Sequence, residues 1–275
     1  MSAPAPARPS LPLHRLDKPE TIDDVLRNID EIIDWSVVTR SCIGYFAVLY
    51  RRVTLAIRQA VIDGVFTDGS RIEALDVAFA KRYFNALNAY FHPDQSRGPT
   101  LPWEVAFVGD QDGKAIILQH MMAGLNAHIT FDLGIAVFET AAHSLRDLKP
   151  DYDRVNDILC KQIPDILKVV DQLSPDLRTT RWLVPGEVGV LQRALTKLRE
   201  GAWLFAIYMA MHPQSAGRKT LHQEAWTAAL NSWYLQPSGR WSPFPRLVRA
   251  IGKHESRNVA ANLDALDGIS KHPKK

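Results

Sequence analysis

The sequence predicts an all-α protein, a single-domain helical bundle of about eight helices. Apolar residues recur at three- and four-residue intervals nearly throughout the chain. No convincing run of period-two alternation and no internal repeat interrupts them. Capping side chains, glycines and prolines punctuate the pattern where helices should begin and stop.

Taken in order, Thr21 can cap a first helix, with Asp23 and Asp24 in its first turn where negative charge complements the helix dipole. Val25, Ile29, Ile32 and Ile33 form its apolar face. A second helix spans roughly Tyr45 to Ile62 and stops at Asp63-Gly64. A third runs from about Ser70 to Phe91, because the residue before Pro93 avoids the α region. The segment His92 to Asp112, with Pro93, Gly98, Pro99, Pro102 and Gly109, reads as a long connection containing one short helical turn near Trp103 to Phe107. Connections of this length often border sites.

A fourth helix, about Lys114 to Leu145, is closed by Pro150. The fifth, Asp151 to Leu173, contains Pro164, which should kink it by freeing the Cys160 carbonyl. The sixth covers Glu187 to Met211 and stops at Pro213; the seventh runs from about Lys219 to Tyr234. A turn-rich loop, Pro237 to Pro245, precedes a basic helix from about Arg246. The pattern divides the chain into a flexible arm at 1–18, one helical domain at 19–262 and a flexible basic tail at 263–275.

Composition narrows the class. The 275 residues are 46% hydrophobic and 23% charged, which excludes collagen-like, disordered and disulfide-scaffold chains. Lys+Arg 33 against Asp+Glu 30 leaves a net charge of +3, too small for general nucleic-acid binding. Cys42 and Cys160 are too few for a disulfide framework and fit a reducing compartment. Met1 to Arg15 lacks the apolar core of a signal peptide, and the expected location is the cytoplasm. Ala115 to Phe138 is long enough to span a bilayer, but His120, Asn126, His128 and Asp132 make it a core helix instead.

The candidate chemistry lies on the buried faces. At about 100° per residue, His128, Asp132, Glu139 and His143 fall on one stripe of the fourth helix, with Met121, Leu125 and Ile135. His120 lies at its margin. Histidine and aspartate four residues apart can touch, so Asp132 could fix the His128 tautomer or share a metal with it. Asp76 interrupts the Ile72, Phe79, Tyr83, Tyr90 stripe of the third helix. Asn156 interrupts the Tyr152, Leu159, Ile163, Val170 stripe of the fifth. A buried carboxylate needs a partner, and Arg82 and His128 are the nearest candidates for Asp76.

His120, His128 and Asp132, with Asp76, would supply nitrogen and oxygen donors suited to zinc, iron or manganese. There is no His-Glu-x-x-His, no Glu-x-x-His pair and no adjacent His-Asp dipeptide. The His128-x-x-x-Asp132 element is similar to one in helical zinc phospholipases and nucleases. The further histidine those proteins carry shortly after the aspartate has no counterpart before His143. No nucleophile elbow, phosphate-binding glycine loop or dinucleotide turn occurs. Trp233, Tyr234, Trp241 and Phe244 interleave with Arg240, Arg246 and Arg249, an arrangement that pins a proline-rich loop or holds an anion.

Three segments carry a family likeness: Phe79-Ala-Lys-Arg-Tyr-Phe-Asn-Ala-Leu87, Gly124-Leu-Asn-Ala-His-Ile-Thr-Phe-Asp-Leu133 and Asp151-Tyr-Asp-Arg-Val-Asn-Asp-Ile-Leu159. Together they resemble the uncharacterised domain of unknown function 5995 family, over roughly Thr21 to Val259. The resemblance implies a single helical domain and no established activity.

The residues predict an enzyme with a buried polar centre acting on a small, partly apolar molecule by metal-assisted or general acid/base chemistry. His128, Asp132 and Asp76 would be catalytic, and Asn126, Asn156 and Arg82 would hold the substrate. One alternative is a non-catalytic helical module enclosing an apolar small molecule. Another is a hydrogen-bond network that only fixes helix register.

Overall fold

The computed structural model describes residues 11–95, 98–109, 115–180, 186–237 and 244–274. Among the described residues 83% are helical and none lies in a strand, so the all-α class holds, with eleven helices rather than about eight. α1 (Ile22–Thr39) starts on a reciprocal cap. The Thr21 hydroxyl accepts from the Asp24 amide at 3.2 Å, while the Asp24 carboxylate accepts from the Glu20 and Thr21 amides at 3.0 Å. Those amides hold the Asp24 carboxyl down to about 2. α2 (Ile43–Ile62) ends at the predicted Asp63-Gly64 stop, where Gly64 takes a φ of 67°. α3 (Gly69–Phe91) is capped by Asp68 and ends ahead of Pro93.

The connection after α3 holds a full helix, α4 (Leu101–Val108), where only a turn was expected. Pro102 suits its first turn, and burial of Trp103 and Phe107 ties the short helix down. α5 (Ile117–Ala141) runs as an α-helical stretch to Asn126, a π-helical stretch from Ala127 to Leu133, and a second α-helical stretch from Gly134. The predicted start at Lys114 lies outside the described residues. By length and composition α5 could cross a membrane, yet 78% of its most apolar window is buried inside the fold. A helix that is apolar all round needs neighbours on every side. α5 has them in α2, α3 and α4 and in three later helices.

α6 (Leu145–Leu173) begins earlier than expected: the break falls at Ala142 to Ser144, and Pro150 lies inside the helix. A proline so near a helix start removes a single backbone bond and does not end the helix. The carbonyl freed by Pro164 is accounted for, since Gln192 donates to the Cys160 oxygen at 3.0 Å. That donor comes from α8 (Glu187–Met211), reached through α7 (Pro175–Thr180). α9 (Ala216–Leu235), α10 (Phe244–His254) and α11 (Val259–Ser270) complete the order. Of the aromatic and basic loop, Arg240 and Trp241 lie outside the described residues, and the Trp233 ring stacks on Phe244 at 5.2 Å.

Both ends of the chain pack more than composition suggests. From residue 11 onward the arm is held down: Leu13 and Leu16 are buried, and Leu16 exchanges two hydrogen bonds with the Asn88 side chain. The expected tail forms α11 as far as Ser270, with Leu263 and Leu266 buried against α1 and α2. Three apolar clusters result among the described residues, the smallest formed by Phe131, Ile135, Phe205 and Met209. The largest is built mainly from α1 to α4 and α11; the second gathers α6, α8 and the second half of α5 with parts of α2 and α3. Leu125 of α5 packs against these two.

Candidate functional site

The π-helical stretch of α5 presents His128 and Asp132 to the interior, where they are 2% and 1% exposed. Such wide turns recur at functional positions. His128 Nδ1 lies 3.4 Å from Asp132 Oδ2. A carboxylate only accepts, so this contact puts the imidazole hydrogen on Nδ1 and leaves the Nε2 lone pair free. Asp132 is itself fixed, accepting from Arg82 Nε of α3 at 2.9 Å and from Trp103 Nε1 of α4 at 2.7 Å.

Aromatic rings enclose the imidazole. Phe79 of α3 stacks on it in parallel at 3.4 Å, and the Tyr50 ring of α2 meets it edge-on at 4.7 Å. Burial lowers the His128 pKa, against the pull of Asp132. The neutral base is therefore the resting form at neutral pH.

Two small cavities meet at Tyr50 and Phe79. One of about 80 Å³ is lined by His128, Tyr50, Phe79, Gln162 and Arg199, among others. Another of about 40 Å³ is lined by Asp76 and shares Tyr50, Val53, Phe79, Leu159 and Arg199 with the first. Four buried polar atoms on these walls have no hydrogen-bond partner: Tyr50 Oη, Asp76 Oδ2, His128 Nε2 and Arg199 Nε. Buried polar groups are almost always satisfied, so four orphans on residues lining two adjoining cavities mark a place for something polar. Burial, with the Glu73 charge, raises the Asp76 carboxyl to about 7.

His128, Asp132 and Arg82 converge as the sequence suggests, and Asp76 faces the neighbouring cavity. Asp76 does not pair with Arg82 or His128, however, because Asp132 engages both. Asn126 is spent on the protein: its amide donates to Thr227 O and Asn231 Oδ1, and its carbonyl accepts from Thr130. It ties α5 to α9 and has no group left for a substrate. Asn156 donates to Thr196 at 3.1 Å, joins α6 to α8 and lines neither cavity. His143 is exposed between helices, and the Glu139 side chain is half exposed.

The metal set does not assemble. His120 lines a separate cavity of about 20 Å³ with Cys42 and Gly124, where burial lowers its pKa to about 4. Among the described residues no three His, Cys, Asp or Glu side chains form a group able to hold a metal ion. A zinc, iron or manganese centre on His120, His128 and Asp132 therefore lacks its donor geometry.

Arg199, Tyr50 and Trp103 were not among the expected site residues. The same wheel argument finds the first two: Arg199 interrupts the buried Leu195, Ala202, Ala206 stripe of α8, and Tyr50 lies on the Phe46, Ile57 face of α2. Trp103 has no such signal, because its partner is 29 residues away on another helix. A scan against protein-family models matches residues 22–237 to the family described as "Family of unknown function (DUF5995)". No curated protein and no solved structure matches the chain.

Proposed function

The chain belongs to the DUF5995 family of unknown function, and from that premise we infer that it is an enzyme performing acid/base chemistry on a small, partly apolar molecule bound between α2, α3, α5, α6 and α8. The observation that carries this reading is the set of four unpartnered polar atoms on residues that line two adjoining cavities. His128 takes a proton through Nε2. Asp132, steadied by Arg82 and Trp103, stabilises the imidazolium that forms. Asp76, with a carboxyl raised to about 7, returns a proton to the bound molecule. The Tyr50 hydroxyl and the Arg199 guanidinium hold its polar atoms.

Incubation with a fractionated cellular metabolite extract, read by mass spectrometry in heavy water, tests the assignment. The wild-type chain should consume or deuterate a small molecule, and His128→Gln should lower that rate by at least about 100-fold. Equal rates in the two proteins, or no consumption by either, overturn it.

A second reading, a non-catalytic module that holds an apolar small molecule, draws on a further cavity of about 110 Å³ lined only by apolar side chains. Retention of a ligand without turnover would favour it.

A further inference from the structure

Arg199 of this centre takes no part in the proton transfer, and its surroundings say what it holds. It is 4% exposed, lies 4.3 Å from the Tyr152 ring and donates to the Tyr152 carbonyl at 3.2 Å. Its Nε is unpartnered, and among the described residues no carboxylate comes within ion-pair distance. The other shielded arginines behave differently. Arg52 pairs with Asp165 at 2.8 Å, Arg82 with Asp132 at 2.9 Å and Arg51 with Asp30 at 2.5 Å. A buried cation with no anion is costly to maintain, and a guanidinium fork suits a planar carboxylate. Asp76 shares a cavity with Arg199 but does not pair with it: Asp76 Oδ2 and Arg199 Nε are both without a hydrogen-bond partner.

Beside the His128 cavity lies the apolar one of about 110 Å³. The two share Leu49, Leu125, Ile163, Ile166 and Leu195, and the far wall includes Met121 and Met122. Flexible methionines adapt to a chain of methylenes. One uncompensated positive charge beside a dry slot calls for a monoanion with an aliphatic tail.

We propose that this pocket binds an aliphatic monocarboxylate of medium chain length, its carboxylate on Arg199 between Tyr50 and Asp76, and its tail in the apolar cavity between α5, α6 and α8. The assignment rests on reading these cavities as a ligand site, and it deepens that reading by naming the ligand class.

Calorimetric titration of the full chain with butanoate, hexanoate and octanoate tests it, with octan-1-ol and octylamine as controls. Affinity should rise about three- to fourfold for each methylene added. Octanoate should bind at least about tenfold tighter than octanol, and octylamine should not bind. Arg199→Met should abolish this preference, Arg199→Lys should restore part of it, and Ala194→Trp should block the longer chains first. Circular dichroism melts establish that each variant folds, and the ligand series on the wild-type chain needs no variant. Equal binding of octanol and octanoate, or no chain-length dependence, overturns the proposal. If octanoate fails to bind while His128-dependent turnover persists, the ligand class alone is wrong. If both fail, the site reading falls with it.

Discussion

Asp76 reports its surroundings through pH. Its carboxyl is raised from the ordinary 3.8 to about 7 by burial and the Glu73 charge. A raised carboxyl contributes stability that is complete below the unfolded value and lost as pH climbs through the folded one. The full difference corresponds to roughly 4 kcal/mol. His120 and His128 act in the opposite sense. They are neutral and buried, so their contribution is present above pH 6.5 and fades as pH falls. Thermal melts between pH 4.5 and 9 should show the wild type losing stability relative to Asp76→Asn as pH rises towards 7, with the difference levelling off above about pH 8. Parallel curves for the two proteins would contradict the assignment. That Asp76 is an oddity is legible in the sequence, since it interrupts an apolar stripe. Its lack of a partner is not, because that depends on Arg82 turning toward Asp132 on a different helix.

At the scale of single elements, two glycines separate close packing from helix propensity. Gly134 follows the π-helical stretch, and a Cβ there would stand 2.6 Å from a Phe205 ring carbon and 2.7 Å from the Ala202 carbonyl oxygen. The oxygen is backbone and cannot swing away. Gly134→Ala should therefore cost about 1–3 kcal/mol, measured by urea denaturation. Gly201 on α8 is exposed and has nothing within 4 Å of the added carbon. Gly201→Ala should be neutral or stabilise by up to about 1 kcal/mol. Helix ends were legible where a cap or stop is local, as at Thr21, Asp63-Gly64 and Pro93. The break between α5 and α6 was not, because Pro150 is the louder signal and the chain turns ahead of it. The π-helical stretch has no sequence mark either; its ring partners come from α2, α3 and α4.

The whole molecule is closed by its C-terminal segment. α11 buries Leu263 and Leu266, donates from Asn262 to the Tyr45 hydroxyl at 3.0 Å, and presents the Ile269 carbonyl to buried Arg52. Ending the chain after Asn258 should cost more than about 3 kcal/mol, seen as a lowered denaturation midpoint, since two buried leucines and a buried arginine partner are lost together. Unchanged stability would return the segment to the role of a tail. Composition and spacing alone determined the all-α class, most helix boundaries, the inward face of each long helix and the polar residues that interrupt those faces. These follow from local propensity and the helical repeat, which a sequence carries explicitly. Tertiary packing decided which interruptions meet: His128 and Asp132 with Arg82 and Trp103, Asp76 and Arg199 around shared cavities, Asn126 turned to α9 and His120 set apart. Rotating one helix against its neighbour changes those meetings without changing any helix's own pattern, so they exist only in the folded chain.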